Sequence, residues 1–250
     1  GRDQTISDIV QNLTGIHSYS ERQPLVGIYG GSGLGKTRVL RELALRSEVV
    51  RSIIDQTDNL DFGQDLLAAH ALPITFNHRT DFSVEFDGKD ATAESMIAVR
   101  LLYTHLCPSN VTFERFLDSL CGLGIENKDL LVVYAIEIIL ADLQENNYGH
   151  KNLLILVDEI IRGAGMLPMD NAMSEMFSAL TSVMDGKVTV GSGENKRKLK
   201  VYVVLTSLSE AEVNVLPRKI VLSGRDICLI PHDKFSVLST SEVEVLLAAH

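Results

Sequence analysis

Cysteine is scarce in this chain: three residues among 250, at Cys107, Cys121 and Cys228. They are widely spaced, odd in number and form no CxxC pair, which argues against a zinc motif or a disulfide framework. Reduced structural thiols are the expectation. The seven histidines offer no HExxH and no other metal spacing. Basic residues are outnumbered, 23 Lys and Arg against 33 Asp and Glu, for a net charge of −10. That balance argues against a general affinity for nucleic-acid backbone and leaves only a local basic patch as a contact. Long apolar runs are missing too. The longest, Leu130 to Leu140, is interrupted by Glu137 and is too short to span a bilayer, so no membrane partner is expected. No secretory signal, internal repeat or low-complexity segment is visible. A soluble intracellular protein is the reading.

What is present is concentrated in one stretch. Leu25 to Tyr29 reads as a short buried strand, Gly30 to Thr37 fits G-x-x-x-x-G-K-[ST], and the residues from Arg38 on are good helix formers. Strand, glycine loop and helix in that order are the context of a phosphate-binding P-loop. Gly30, Gly31, Ser32, Gly33, Leu34 and Gly35 let the backbone curl so that successive N–H groups face the phosphates. The helix opening near Lys36 adds its positive end to the same anion site. Lys36 is expected on the β- and γ-phosphates, Thr37 on Mg²⁺, and Arg38 beside them.

The rest of the chain reads in order around that stretch. Ile6, Ile9, Val10, Leu13 and Ile16 have helical spacing, giving a helix that either covers a nucleotide base or packs on the sheet edge. Residues 52–69 read as polar and irregular, and Leu72 to Asn77 as a second strand. Residues 81–90 alternate like a hairpin or an ordered loop. Helices are expected over about 91–106, 112–121, 128–146 and 169–184. Leu153 to Val157, Val201 to Leu205 and Lys219 to Leu222 read as three further strands, with another apolar patch at Ile227 to Ile230. Ser241 and Glu244 form a capping box opening a last helix. The 45% hydrophobic content over 250 residues suffices for one sizeable core. The division is therefore 1–24, helix and linker; 25–235, nucleotide-binding core; 236–250, the start of a helical region. The abrupt Gly1-Arg2 start and the stop inside a helical pattern suggest a piece of a larger protein. Alternating strands and helices imply an α/β, three-layer P-loop fold with a mostly parallel sheet and its ligand at the carboxyl ends of the strands.

The chemistry-bearing residues all fall at such ends. Asp158 closes an apolar strand, the place of a Walker B aspartate that orients Mg²⁺. Glu159 follows and is placed to polarise a water toward the γ-phosphate; the bland alternative is a solvated acidic pair. That pair favours an ATPase over other P-loop classes, and the absence of an NKxD or TKxD reader argues against GTP. Thr206 or Ser207 suits a γ-phosphate sensor, or is an ordinary strand-end residue. Asn77 is a candidate for holding Glu159 away from the water, or is a turn residue. The strand carrying Phe76 and Asn77, between the P-loop and Asp158 in sequence, is taken as the sign of the additional-strand division of P-loop ATPases. A finger arginine is worth about 10³–10⁵ in rate; Arg225 is the first candidate, with Arg218, Arg162, Arg79 and Arg100 behind it. Lys196, Arg197 and Lys198 either touch nucleic acid or an acidic partner or are simply solvated. His78 receives no role.

Taken together, GIYGGSGLGKTRVLREL, PITFN, IAVRLL, LLILVDEI, VVLTSL and SGRDI resemble the Crinkler effectors of oomycetes and fungi and the retrotransposon hot spot proteins of trypanosomes. The likeness runs from about Leu25 to Arg225. It implies an AAA+/STAND-like ATPase module using ATP and Mg²⁺, with Lys36, Thr37, Asp158, Glu159 and Arg225 in the roles above and Arg100 as a helper. It also implies a nuclease or other effector domain outside this stretch, secretion into a host and action at its nucleus. Homo-oligomers are expected by analogy with ATPases whose finger comes from a neighbour. Two rival functions stand beside hydrolysis: a nucleotide-bound regulatory or oligomerisation switch with little turnover, and a small-molecule kinase, which needs an acceptor pocket.

Overall fold

The computed structural model describes residues 2–14, 23–30, 35–57, 60–77, 80, 90–146, 152–167, 171–184, 189–190, 197–208 and 227–231. Its centre is a five-stranded, wholly parallel sheet. The strands are β1 (Leu25–Tyr29), β2 (His70–Thr75), β3 (Leu153–Asp158), β6 (Val201–Leu208) and β7 (Ile227–Pro231), in the order β2-β3-β6-β1-β7. Two short strands, β4 (Thr189–Val190) and β5 (Arg197–Lys198), pair separately as an antiparallel ribbon.

Period-two alternation explains why both faces are covered. Val26, Ile28, Leu154, Leu156, Tyr202 and Val204 face one layer of helices, whereas Leu25, Leu153, Ile155, Val157, Val201, Val203 and Leu205 face the other. The first layer holds α1 (Arg2–Thr14), α2 (Lys36–Leu45), α3 (Glu48–Asp55) and α4 (Leu60–Ala68). The second holds α5 (Ala93–Leu106), α6 (Phe113–Gly122), α7 (Val132–Glu145), α8 (Ile160–Gly165) and α9 (Ala172–Met184). This is the α/β architecture expected, with three layers and a parallel sheet.

Several expectations need correction. Most of the described residues between 52 and 69 are helical, not irregular: α3 is capped by Ser47, whose hydroxyl accepts from Val50 N, and buries Val50 and Ile54, and α4 buries Leu66. Their apolar positions are sparse, and the polar residues between them sit on the outer face. The second strand is His70–Thr75, ending before Phe76 and Asn77, which form the turn beyond it. That strand lies at the sheet edge. The strand inserted between β1 and β3 is β6, because neighbours in sequence are not neighbours in a crossover sheet. The fifth strand of the sheet is β7, the segment read only as an apolar patch; Lys219 to Leu222 lie outside the described residues. So do residues 81–89, most of the 191–198 loop, and the capping-box helix. The amino-terminal helix packs through Ile6, Ile9, Val10 and Leu13 into the same core as α2–α4. Among the described residues no helix is long and apolar enough to cross a membrane, and the three cysteines are not joined in disulfides.

One polar group in the α1–α4 layer stands out. Tyr202 is fully buried and its hydroxyl has no hydrogen-bond partner among the described residues. Burial, and secondarily the nearby Asp65 charge, pushes its ionisation well above the usual tyrosine range. Leaving a buried hydroxyl unpaired costs about 1–3 kcal/mol. Tyr202→Phe is therefore expected to stabilise the fold by about 1 kcal/mol, raising Tm by roughly 2–4 °C. The sign at alkaline pH also follows. The unfolded chain ionises Tyr202 near pH 10 while the folded chain holds it neutral, so folding stability falls as pH rises past that point. Thermal melts of both proteins at neutral and alkaline pH should show the variant losing less; equal melting throughout would mean that Tyr202 finds a partner in solution.

Candidate functional site

Four strand ends deliver the site. In β1 the chain leaves the sheet at Gly30, with φ 146°, and enters α2 at Gly35, with φ 91°. Both are backbone conformations that an L side chain resists. The first turn of α2 carries no acidic residue, so its positive end is not locally neutralised. Lys36 is 8% exposed, and its Nζ donates to the Gly30 carbonyl at 2.9 Å. The ammonium thus reaches back to the first residue of the motif, where bound phosphate oxygens are expected. Gly31, Ser32, Gly33 and Leu34 lie outside the described residues. Arg38 is exposed beyond them and sits 3.8 Å from Glu42, four residues on.

Asp158 is the junction of the site. It is 5% exposed, and both carboxylate oxygens are taken. Thr37 Oγ1 donates to Oδ2 at 2.8 Å and Thr206 Oγ1 to Oδ1 at 2.5 Å. The β3–β6 register dictates the second contact, since Val157 pairs with Leu205 and the next residues on each strand are Asp158 and Thr206. An ionised carboxylate only accepts, so both hydroxyls must donate to it. Each keeps its oxygen lone pairs for another partner. Thr206, read as a γ-phosphate sensor, therefore spends its proton on orienting Asp158.

The donor set fits Mg²⁺. Thr37 Oγ1 and Asp158 are hard oxygen ligands, and no cluster of three or more acidic, His or Cys residues able to hold a metal occurs among the described residues. A nucleotide-bound Mg²⁺ needs no such cage, because it takes one or two protein oxygens and fills its shell with phosphates and water.

Glu159 follows in the left-handed conformation, φ 60° and ψ 41°, as the residue ahead of α8. Such a backbone costs of order 1–3 kcal/mol and persists only where its surroundings impose it. Here β3 is paired on both sides, and α8 is packed on the sheet and α9. The strand edge on the other side brings Phe76 N to the Asp158 carbonyl at 3.2 Å. Asn77 sits in the following turn: its N–H donates to Thr75 Oγ1 and its carbonyl accepts from Thr80 N.

An open groove of about 1620 Å³ begins at Thr37, Asn77 and Asp158 and extends between α2 and the α5–α6 connection. Leu40, Arg41 and Ala44 of α2 line one side, and Tyr103, Cys107 and Val111 the other. It exceeds the roughly 300–1,000 Å³ of common small-molecule pockets. Burial pushes the Cys107 thiol up from its ordinary pKa. The groove was not anticipated from the sequence. Its one available signal was Arg41, four residues after Thr37 and so on the same helix face.

The arginine candidates separate. Arg100 is fully buried and bonded to main-chain carbonyls, so it is no finger. Arg162 is exposed on α8. Arg225, Arg218, Arg79, His78 and Lys196 lie outside the described residues, as do the side chains of Arg197 and Lys198. Arg225 is a candidate because it follows Lys219 to Leu222, read as the fifth strand; both lie outside the described residues, and the next described strand is Ile227–Pro231.

No protein-family model matches the chain, and no curated protein matches it.

Removing the Thr206 hydroxyl while keeping its shape tests the Asp158 junction. Thr206→Val is expected to weaken ATP binding about tenfold in the presence of Mg²⁺ and to leave metal-free binding unchanged. Calorimetric titrations with and without Mg²⁺ read this directly. An equal affinity with Mg²⁺ would mean that Thr206 does not orient a metal ligand.

Proposed function

We propose that the chain binds ATP with Mg²⁺ and hydrolyses it as a P-loop ATPase module of the AAA+/STAND kind. The observation that carries this reading is the Thr37–Asp158–Thr206 chain of hydrogen bonds, with Lys36 bonded back to the Gly30 carbonyl. Lys36 and the α2 amino terminus bind phosphate, Thr37 and Asp158 hold the metal, and Glu159 activates water. When bound, Mg²⁺ supplies charge neutralisation across the β- and γ-phosphates. Thr206 keeps the Asp158 carboxylate aimed, and Asn77 stands beside it at the mouth of the groove. The arginine that completes such sites is assigned to a neighbouring subunit in a homo-oligomer, with Arg225 the candidate. The resemblance to Crinkler and retrotransposon hot spot proteins extends the proposal to an intracellular or host-nuclear effector with a separate nuclease or other domain.

A second reading is phosphoryl transfer to a bound acceptor. It is favoured by one observation, the groove that opens onto Thr37 and Asp158.

The deciding experiment is phosphate release from ATP over a range of protein concentrations. Lys36→Ala is expected to abolish ATP binding. Glu159→Gln is expected to bind ATP normally and to lose release by about 10²-fold or more. A rate per chain that climbs with concentration supports an oligomeric site. Tight binding with no release, in any concentration range, would replace the hydrolase by a nucleotide-bound switch. Unchanged binding by Lys36→Ala would end the nucleotide reading altogether.

A further inference from the structure

Arg100 is the largest fully buried side chain among the described residues, and hydrolysis as proposed above does not use it. A guanidinium stays charged at any working pH, and burying a charge is costly unless it is hydrogen-bonded and well packed. The surroundings of Arg100 meet that demand in one direction. Nε and Nη2 both donate to the Thr80 carbonyl, at 3.2 and 2.9 Å, and Nη1 donates to the Met96 carbonyl one turn back at 3.0 Å. The guanidinium also lies over two rings, 4.6 Å from the Phe76 centroid and 5.0 Å from that of Phe113.

What Arg100 holds leads directly to the nucleotide site. Thr80 in turn donates its hydroxyl to the Thr75 carbonyl and its N–H to the Asn77 carbonyl. The turn carrying Asn77 is therefore tied at both ends. Phe76, pinned under the guanidinium, donates its N–H to Asp158 O, the residue before the Glu159 elbow. Its ring also lies against the backbone of α8: a Cβ built on Gly163 would stand 2.8 Å from the ring. Only glycine lets α8 approach this closely.

We infer that Arg100 is a positioning residue of the nucleotide site, acting through Thr80 on Asn77 and through Phe76 on the Asp158–Glu159 elbow. This rests on the ATPase reading for its chemical consequence but not for its structural one. Lysine keeps the charge and loses the planar fork, so it cannot reproduce the two bonds to Thr80 together with the stacking on both rings.

The test is Arg100→Lys, with Gly163→Ala as an independent push on Phe76, shared with the tip of Met176. Hydrogen exchange is measured on the nucleotide-free protein at the amides of Phe76, Thr80 and residues 160–163. Both variants are expected to speed it by about tenfold or more, with the exchange of β1 unchanged. In phosphate release, both are expected to lower kcat by about 10- to 100-fold with KM nearly unchanged. Combined with Asn77→Ala, Arg100→Lys should cost less than it does alone. Unchanged exchange at Phe76 and Thr80 would overturn the inference whether or not the protein turns over ATP. Faster exchange with unchanged kcat would overturn the link to chemistry, and so would full additivity with Asn77→Ala. A wild-type protein that releases no phosphate would sink the ATPase reading alone, because exchange still decides the positioning. If Arg100→Lys fails to fold, Arg100→Gln, which keeps a donor toward Thr80 and removes the charge and the stacked fork, is read by the same exchange measurements.

Discussion

The site depends on a buried carboxylate with two hydroxyl donors. Asp158 lies at the end of a central strand, 5% exposed, where an ion left alone would be strongly disfavoured. Thr37 and Thr206 make its burial tolerable, and they come from opposite sides: one from the P-loop helix, one from the neighbouring strand. This makes the site a consequence of sheet register. A slip of β6 by one residue would replace Thr206 beside Asp158 with Leu205 or Ser207 and would also exchange the two faces of the strand. Val201, Val203 and Leu205 would then face the α1–α4 layer, and Tyr202 and Val204 the other. The two hydrophobic layers thus fix the position of a single hydroxyl.

The parts of this arrangement legible in the sequence are those with strict local grammar. The P-loop pattern needs only the strand before it and the helix after it, and both are where the residues place them. The apolar run ending in Asp158 is unambiguous because β3 is buried on both faces, as interior parallel strands are. Less was legible where the information is non-local. Residues 52–69 resemble a loop because α3 and α4 each bury only a narrow stripe against the first layer. Phe76 and Asn77 look like the end of a strand, but only Phe76 still bonds to β3, whereas the main-chain bonds of Asn77 belong to the turn held by Thr80. The position of β6 between β1 and β3 is a property of crossovers, which no stretch of sequence shows by itself. Arg100 looks like any helix arginine; only the Phe76 and Phe113 rings, from two other elements, reveal that it is enclosed.

The strained elbow at Glu159 clarifies how such a site stays assembled. A residue with φ 60° relaxes unless both flanks are fixed. Its upstream flank is β3, paired on both sides. Its downstream flank is a helix of only 6 residues, too short to be stable by itself. The contact of α8 with Phe76 at Gly163, and with α9, therefore replaces intrinsic helix stability. This puts the Glu159 conformation under the control of packing in the α5–α9 layer, whereas Lys36 and Thr37 ride on α2 in the other layer. In the proposed ATPase, phosphate binding and water activation are thus built on opposite faces of one sheet, joined through Asp158.

That division bears on what the groove can do. Thr75, Asn77 and Thr80 belong both to its wall and to the turn that Arg100 holds. A ligand seated at this end of the groove touches the same turn that flanks Asp158, and the proposed nucleotide meets Thr37 at the same end. Two ligands that share one turn must influence each other's affinity if either prefers one conformation of it, and by linkage the effect is reciprocal. A phosphoryl acceptor and a regulatory partner make the same demand on this geometry and differ in the fate of the γ-phosphate. An acceptor has to bring a nucleophile to the Thr37–Asp158 end, whereas a partner need only grip the turn. The groove's length beyond Thr104, out to Val111 and Thr112, is more than a nucleophile needs and suits contact over an extended surface. Within the proposed function, the groove therefore suits hydrolysis governed by a bound partner better than transfer into it.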